Sequence, residues 1–389
     1  MVYSKEFIGR GLTLKDIYLD NASTTKPCKE SVDKIIEMLK ENYGNPSSLH
    51  DKGISAELEM EKARNIISNE INAQSNEIYF TSGGTESNNI AIFGATRAKK
   101  KSGNKIVTTA IEHSSVYNAM QELEKEGYEV IYLKPDKNGN ITKDQIYNSI
   151  DEKTILISIM MVNNEVGSIL PVEKIKSIIK EKNSKALLHI DAVQAFGKLP
   201  IDVLKIGADL MSISGHKVYG PKGVGALYKK RGIKIIPLVY AGGQEKKVRP
   251  GTEPLPLICG FGSAVEQFKI KEDYSKVSAL NQHLRKKLSE IEGITINSGD
   301  DAIPYIINFS TNKIKSETML HYLSSKGIYV SSGSACAKGQ KSRVLGEIKL
   351  GSKAIDTAIR VSLSKDNTSK DIDELIKNVK LAINSLAHR

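Results

Sequence analysis

No apolar run in this chain approaches the ~18 residues that a membrane-crossing helix needs. The longest uncharged stretches are residues 154–164 and 254–265, so no membrane partner is expected. Cysteine is scarce: Cys28, Cys259 and Cys336 are odd in number and form no C-x-x-C pair. That argues against a disulfide framework and against a zinc site, and no metal is expected. The first residues carry Lys5, Glu6, Arg10, Lys15 and Asp16, which is not the composition of a signal peptide; the expected location is cytoplasmic. Neither the Walker pattern nor G-x-G-x-x-G occurs, so nucleotide binding is not indicated. Lys and Arg number 56 against 45 Asp and Glu, a net charge of +11. The lysines are scattered, and no aromatic-interleaved basic motif accompanies them. A solvated basic surface is expected, with no direct nucleic-acid partner.

The chain has 389 residues, 40% of them hydrophobic and 26% charged, as in a soluble globular protein of two domains. Apolar runs of four to seven residues alternate with helical periodicity from residue 77 to residue 228, and a βαβα pattern of this kind implies a mostly parallel, doubly wound sheet. A helix is expected to start at Pro27 with Ile35, Ile36 and Leu39 on one face. A Gly/Pro-rich crossing at residues 242–256 precedes an apolar helix containing Cys259, expected to be a small buried hydrophobe. Cys28 reads as a structural or surface thiol. The expected domains are residues 16–256, a large α/β unit, and residues 257–389, a smaller α+β unit joined by residues 1–15.

Polar residues follow the expected strands at Glu112-His113, Asn163-Asn164-Glu165, Asp191-Ala192-Val193-Gln194 and Ser214-Gly215-His216-Lys217. In a parallel sheet all four clusters share the carboxyl edge, where ligands bind. Taken alone, Lys217 fits a surface turn as well as a reactive site. Asp191, which closes the apolar segment 186–190, changes that balance. A Schiff-base lysine with an acid for a pyridinium nitrogen is the minimal kit of a pyridoxal phosphate site. Ser82-Gly83-Gly84-Thr85 opens a helix whose free N–H groups suit a phosphate. Cys336 sits in a small, polar loop with Lys338, Lys341 and Arg343, cations that favour its thiolate. Arg360 lies in an alternating strand and suits a carboxylate at a site edge. His189 reads as a core residue.

Residues 18–25, 81–87, 112–113, 162–167, 189–194, 214–217, 249–252, 331–336 and 359–360 together make the chain resemble the cysteine desulfurases. These are class-V aminotransferase, fold type I pyridoxal phosphate enzymes. The form Ser331-Ser332-Gly333-Ser334-Ala335-Cys336 is similar to the group that feeds iron–sulfur scaffolds and tRNA thiolation. The resemblance implies that Lys217 holds pyridoxal phosphate, that Asp191 pairs with its ring nitrogen and that His113 stacks on the ring and moves protons. It also implies that Gln194 meets the phenolic oxygen, and that Gly84, Thr85, Ser214 and His216 hold the phosphate, with Thr252 reaching in from the partner of a homodimer. Asn164 and Arg360 would grip the carboxylate of L-cysteine, and Cys336 would take its sulfur as a persulfide for an acceptor protein. The loop after Cys336 lacks the proline-bearing segment that many relatives carry, and Glu253-Pro254 replaces smaller or amide residues; the first bears on which acceptor is served. Other class-V enzymes, a selenocysteine lyase or an aminotransferase, remain open at this point, as does a non-catalytic sulfur-relay protein.

Overall fold

The computed structural model describes residues 16–332 and 342–386. Its strands are β1 (Ile17–Tyr18), β2 (Ile78–Thr81), β3 (Lys105–Thr109), β4 (Glu129–Leu133), β5 (Thr154–Met160) and β6 (Leu187–Asp191). They continue as β7 (Leu210–Ser214), β8 (Gly225–Lys229), β9 (Thr295–Ile296), β10 (Ile306–Ser310), β11 (Ile328–Tyr329) and β12 (Ala358–Ser362). The first helices are α1 (Lys29–Lys40), α2 (Asp51–Glu70), α3 (Gly84–Lys99), α4 (Ser114–Lys125), α5 (Lys143–Ser149), α6 (Val172–Glu181) and α7 (Val203–Ile206). The later ones are α8 (Leu255–Val265), α9 (Ile270–Ser289), α10 (Ser316–Ser325), α11 (Arg343–Glu347), α12 (Ser352–Asp356) and α13 (Ser369–Leu386).

Seven strands form one sheet in the order β2-β8-β7-β6-β5-β3-β4. The run from β4 to β7 is parallel, and β8 is antiparallel to both its neighbours. Consecutive strand residues feed two different cores. Ile106, Leu156, Leu187, Leu210 and Leu227 pack with Ile90 and Ala91 of α3 and Val116 and Met120 of α4. Their neighbours Val107, Ile157, Leu188, Met211 and Ala226 join Ala63 and Ile67 of α2 and Ile175 and Ile178 of α6. Helices therefore cover both faces, which is why these strands read as continuous apolar runs rather than alternating ones.

A second, antiparallel sheet runs β12-β10-β9, and β1 pairs in parallel with β11. Near it α13 packs against α9 and α10. The apolar helix α8 packs on α1 and α2. Two glycines allow the approach: a Cβ at Gly260 would lie 2.5 Å from Ile35 Cγ1, and one at Gly262 would lie 2.8 Å from Ala63 Cβ. Ile35 thus turns toward α8, whereas Ile36 and Leu39 are 42% and 61% exposed. The three share a face as expected, Leu39 lying one turn beyond Ile35, but α8 covers only part of it. No helix among the described residues is long and apolar enough to cross a membrane.

His189, in the middle of β6, is fully buried between hydroxyls of the two neighbouring strands. Its Nδ1 meets Ser158 Oγ at 2.8 Å and its Nε2 meets Ser212 Oγ at 3.0 Å. Burial pushes its pKa down to about 3. The unfolded chain therefore binds a proton here, with a pKa near 6.5, that the folded chain refuses; stability falls as pH drops below that value. Urea unfolding of His189→Gln should show about 1.5 kcal/mol less stability loss between pH 6.5 and pH 5 than the parent chain shows. Parallel pH profiles for the two proteins would refute this assignment.

Candidate active site

Asp191 ends β6 at the carboxyl edge of the large sheet and is 5% exposed. Its Oδ2 accepts from Asn88 Nδ2 at 2.8 Å and its Oδ1 from Val193 N at 3.0 Å. Asn88, itself buried in α3, also donates to Ser115 Oγ at 2.9 Å. His113 caps α4 from the loop after β3. Its Nδ1 faces the N–H and hydroxyl of Ser115 at 3.2 and 2.8 Å. Burial lowers the His113 pKa; the Asp191 charge opposes the shift, and the charges of Lys217 and Arg343 add to it. The carboxyl ends of β3, β6 and β7 therefore bring Asp191 and Lys217 within electrostatic reach of His113.

Lys217 follows β7 in the short turn Gly215–Lys217, and its Nζ donates to the carbonyls of Ala22 and Ser23 at 2.7 and 2.6 Å. Gln194 reaches the same Ala22 carbonyl through Nε2 at 2.9 Å. His216 holds this segment on the other side: Thr25 N donates to its carbonyl at 2.8 Å, and its Nδ1 lies 3.3 Å from Thr24 Oγ1. Burial, followed by the charges of Lys217 and Lys222, pushes the His216 pKa down to about 4, so its ring is neutral at pH 7.

Arg360 enters from β12 and is 2% exposed. Its Nη2 donates to Asp20 Oδ1 at 2.8 Å and to Ser23 Oγ at 2.7 Å, and its Nη1 donates to the Asn164 carbonyl at 2.9 Å. Its Nε is buried without a partner among the described residues. Beside Asn164, Glu165 accepts from Ser342 Oγ at 2.5 Å, and burial raises its carboxyl to about 7. Arg343 lies over the Tyr117 ring at 3.8 Å and donates to the Ala110 and Glu112 carbonyls.

The start of α3 completes the edge. Gly83, at φ 150° and ψ −177°, occupies a region open only to glycine, and it exposes the first N–H groups of the helix. A Cβ on Gly225 would come within 2.7 Å of Gly83 Cα, so β8 backs directly onto this turn. Ser214 Oγ is buried without a partner among the described residues, and Ser214 Cβ lies 3.6 Å from where a Cβ on Gly84 would stand. Thr85 is exposed in the first turn of α3. An orphaned hydroxyl at a glycine-opened helix mouth, a buried carboxylate and a lysine fit the phosphate, ring nitrogen and aldehyde of pyridoxal phosphate.

Thr252 is exposed, at the far end of a loop in which Glu245, Lys246 and Lys247 all have positive φ. Arg64 anchors that loop through paired bonds of 2.9 and 2.8 Å to Glu245. Cys336 lies outside the described residues. Conversely, the sequence reading overlooked Asn88, Lys198, Asp20 and Ser23, which hold the site side chains in place. For Asn88 the only clue was a polar residue four positions beyond Gly84, on the inward face of an apolar helix.

A doubly wound sheet whose carboxyl edge gathers a lysine, a buried carboxylate and an orphaned hydroxyl at a helix mouth suits a pyridoxal phosphate enzyme of fold type I. Residues 17–375 match the family model Aminotransferase class-V. The chain is 41% identical to a protein of Methanosarcina thermophila named "Cysteine desulfurase IscS", over 94% of this chain and 91% of that one. A solved "NIFS-LIKE PROTEIN" superposes with a TM-score of 0.91 at 36% identity, covering 95% of this chain and 100% of its own. A structure titled "SspA in complex with cysteine" gives 0.80 at 34% identity, over 90% and 99%. The chain belongs to the class-V aminotransferase family, whose members use pyridoxal phosphate.

Removing the donor to Asp191 leaves a buried carboxylate short of a partner. Asn88→Ala should therefore cost the apoprotein about 1–3 kcal/mol in urea unfolding. A loss below 0.5 kcal/mol, on the order of a neutral surface change, would show that Asn88 does not hold Asp191.

Proposed function

We propose that this protein is a pyridoxal phosphate-dependent cysteine desulfurase, converting L-cysteine to L-alanine and a persulfide on Cys336. The observation that carries the reading is the meeting of Lys217 and Arg360 at residues 20–23, with Lys217 and buried Asp191 both within electrostatic reach of His113. Lys217 holds the cofactor through its amine, and Asp191, fixed by Asn88, pairs with the ring nitrogen. Gln194 donates to the phenolic oxygen, and Gly84, Thr85, Ser214 and His216 hold the phosphate. Asn164 and Arg360 take the substrate carboxylate; Arg360 Nε, buried without a partner among the described residues, is the donor it can offer.

Bound at this edge, pyridoxal phosphate supplies an electron sink that makes the amino acid's α-proton labile. His113 would face the cofactor and move protons through Nε2, because Nδ1 is engaged with Ser115. Its lowered pKa keeps it neutral, and so basic, at pH 7. The Cys336 thiolate attacks the substrate sulfur. An S–S bond forms, the Cβ–S bond breaks, and its electron pair is protonated at Cβ to give alanine. Cys336 then passes the sulfur to an acceptor protein, an iron–sulfur scaffold or a thiolation enzyme, in the cytoplasm.

The working unit of this reading is a homodimer in which Thr252 of one copy meets the phosphate of the other. Its support is an uncovered apolar face on α1 and α2: Val32, Ile36, Leu39, Ile54 and Leu58 are all exposed, as is Leu49 at 96%. In the same reading, residues 16–256 are the cofactor-binding unit and residues 257–389 a smaller unit carrying the cysteine.

Cys336→Ala should keep the bound cofactor's visible absorbance while sulfide and alanine release from cysteine falls at least ~100-fold, as expected for loss of a nucleophile. Undiminished turnover would refute the reading. Arg360→Lys should raise the KM for cysteine about tenfold, some 1.4 kcal/mol, with a smaller change in kcat. An unchanged KM would remove Arg360 from substrate binding.

A further inference from the structure

Beyond Asp191 the chain makes a helical turn: Ala192 O accepts from Ala195 N and Phe196 N, and Ala195 O from Lys198 N and Leu199 N. The turn sets Lys198 and Gln194, four residues apart, on the same side. Lys198 is 7% exposed, and its Nζ donates to Gln194 Oε1 at 2.9 Å. Among the described residues no carboxylate forms an ion pair with it. A lysine this deep without an acid is expensive to bury, and its desolvation, with the charges of Lys217 and Arg360, pushes its pKa down to about 7. Charged or neutral, the amine still carries N–H donors, so the bond to Oε1 survives either state.

That bond has a directional consequence. A carboxamide offers an acceptor at one end and two N–H donors at the other. With Oε1 engaged by Lys198, the nitrogen end must face the pocket. Nε2 does so, donating one hydrogen to the Ala22 carbonyl at 2.9 Å, the carbonyl that Lys217 Nζ also meets at 2.7 Å. The other hydrogen remains to be offered to a ligand beside Lys217.

We propose that Lys198 is a positioning residue: by holding Gln194 Oε1 it fixes the carboxamide as a donor, not an acceptor, toward the phenolic oxygen of the cofactor bound at Lys217. The inference rests on the pyridoxal phosphate reading above. A donor at that oxygen stabilises its anionic form, so it lowers the pH at which the bound chromophore loses its proton. Without Lys198 the amide is held by the Ala22 carbonyl alone and can swing its second N–H away from that oxygen.

The test is a double-mutant cycle read by pH titration of the holoenzyme's visible absorbance. Lys198→Met, close to lysine in length and apolar, should raise the titration midpoint by about one pH unit. In a Gln194→Ala background the same substitution should shift the midpoint by less than about a third as much, since nothing is left to position. Equal shifts in the two backgrounds would mean that Lys198 acts as a charge through space, and would overturn the proposal. So would an unshifted Lys198→Met protein beside a shifted Gln194→Ala one, which would leave the cofactor reading intact. A parent chain that takes up no pyridoxal phosphate would sink both readings. Apoprotein melting separates positioning from structure: the Tm of Lys198→Met should not fall, whereas a fall with an unmoved midpoint would assign Lys198 a purely structural role. Lys198→Leu, which has no donor to offer Gln194, carries the same expectations should the methionine variant fail to fold.

Discussion

A cation drawn out of solvent needs oxygen atoms around it, and in this molecule one short segment supplies them to half-buried Lys217 and buried Arg360. Residues 19–25 run between the carboxyl edge of the seven-stranded sheet and strand β12. Ala22 and Ser23 turn their carbonyls to Lys217, while Asp20 and Ser23 turn their side chains to Arg360. The segment is itself fastened on both sides: Leu19 N donates to Tyr329 O, Asn21 N to Ser362 O and Thr25 N to His216 O. Arg360 without these acceptors would be an uncompensated buried charge, at a cost of several kcal/mol, and half-buried Lys217 would lose both carbonyls. The segment therefore cannot leave without unsettling both halves of the site, and the two sheets are bound to a common geometry through it.

Around that segment the charges are unevenly settled. Lys217, Lys198 and Arg360 bring cationic groups to one pocket, and Lys198 is pushed toward neutrality by burial and by the other two. His113 and His216 are lowered for the same first reason, loss of solvent. The anionic side is thinner: Asp191 faces His113, and Asp20 meets Arg360. Among the described residues Ser214 Oγ has no partner, and the first N–H groups of a helix have none within the helix. A pocket with surplus donors and cationic groups is built for a ligand that brings negative charge, and a phosphate together with a carboxylate would restore the balance.

How much of this was legible in the sequence follows from what kind of atom does the holding. Strands β3 and β5 to β8 were legible because two covered faces demand unbroken apolar runs. The clusters after those strands were legible because parallel strands deliver their loops to one edge. Asp191 and Lys217 stood out as charges closing apolar strands. Their acceptors did not: Ala22 O and Ser23 O are backbone atoms, and any sequence would provide a carbonyl there. Asn88 and Lys198 act across the fold or across one helical turn, through side chains that equally suit solvent. What covers the apolar face of α1 was not legible for a related reason. Periodicity says that a helix has an apolar stripe, not whether α8 covers it, and here Gly260 admits Ile35 while Ile36 and Leu39 stay exposed.

The Gln244–Lys247 turn shows where the fold spends stability on placement. Glu245, Lys246 and Lys247 have φ of 44°, 52° and 67°, a conformation that costs non-glycine residues on the order of 1–3 kcal/mol each. Nothing local relieves this, because no glycine occupies these positions. What holds it is distant: Glu245 is buried and accepts from both terminal nitrogens of Arg64 and from Phe80 N at 2.8 Å. Arg64 in turn donates to the Ile78 carbonyl at 2.7 Å and lies over the Phe80 ring at 4.6 Å. The edge strand β2 and the turn are thus locked by one ion pair whose charges are satisfied on nearly every side. Such a pair is weak evidence for net stability, since desolvating two charges is costly; it is better evidence that position matters. Further along, Arg249 pairs with Glu86 in the first turn of α3 and Gly251 N donates to Gln244. Thr252 is therefore exposed on a loop whose geometry is imposed from two elements of the large sheet's own side, which is the rigidity a residue needs if it is to act on anything beyond its own chain.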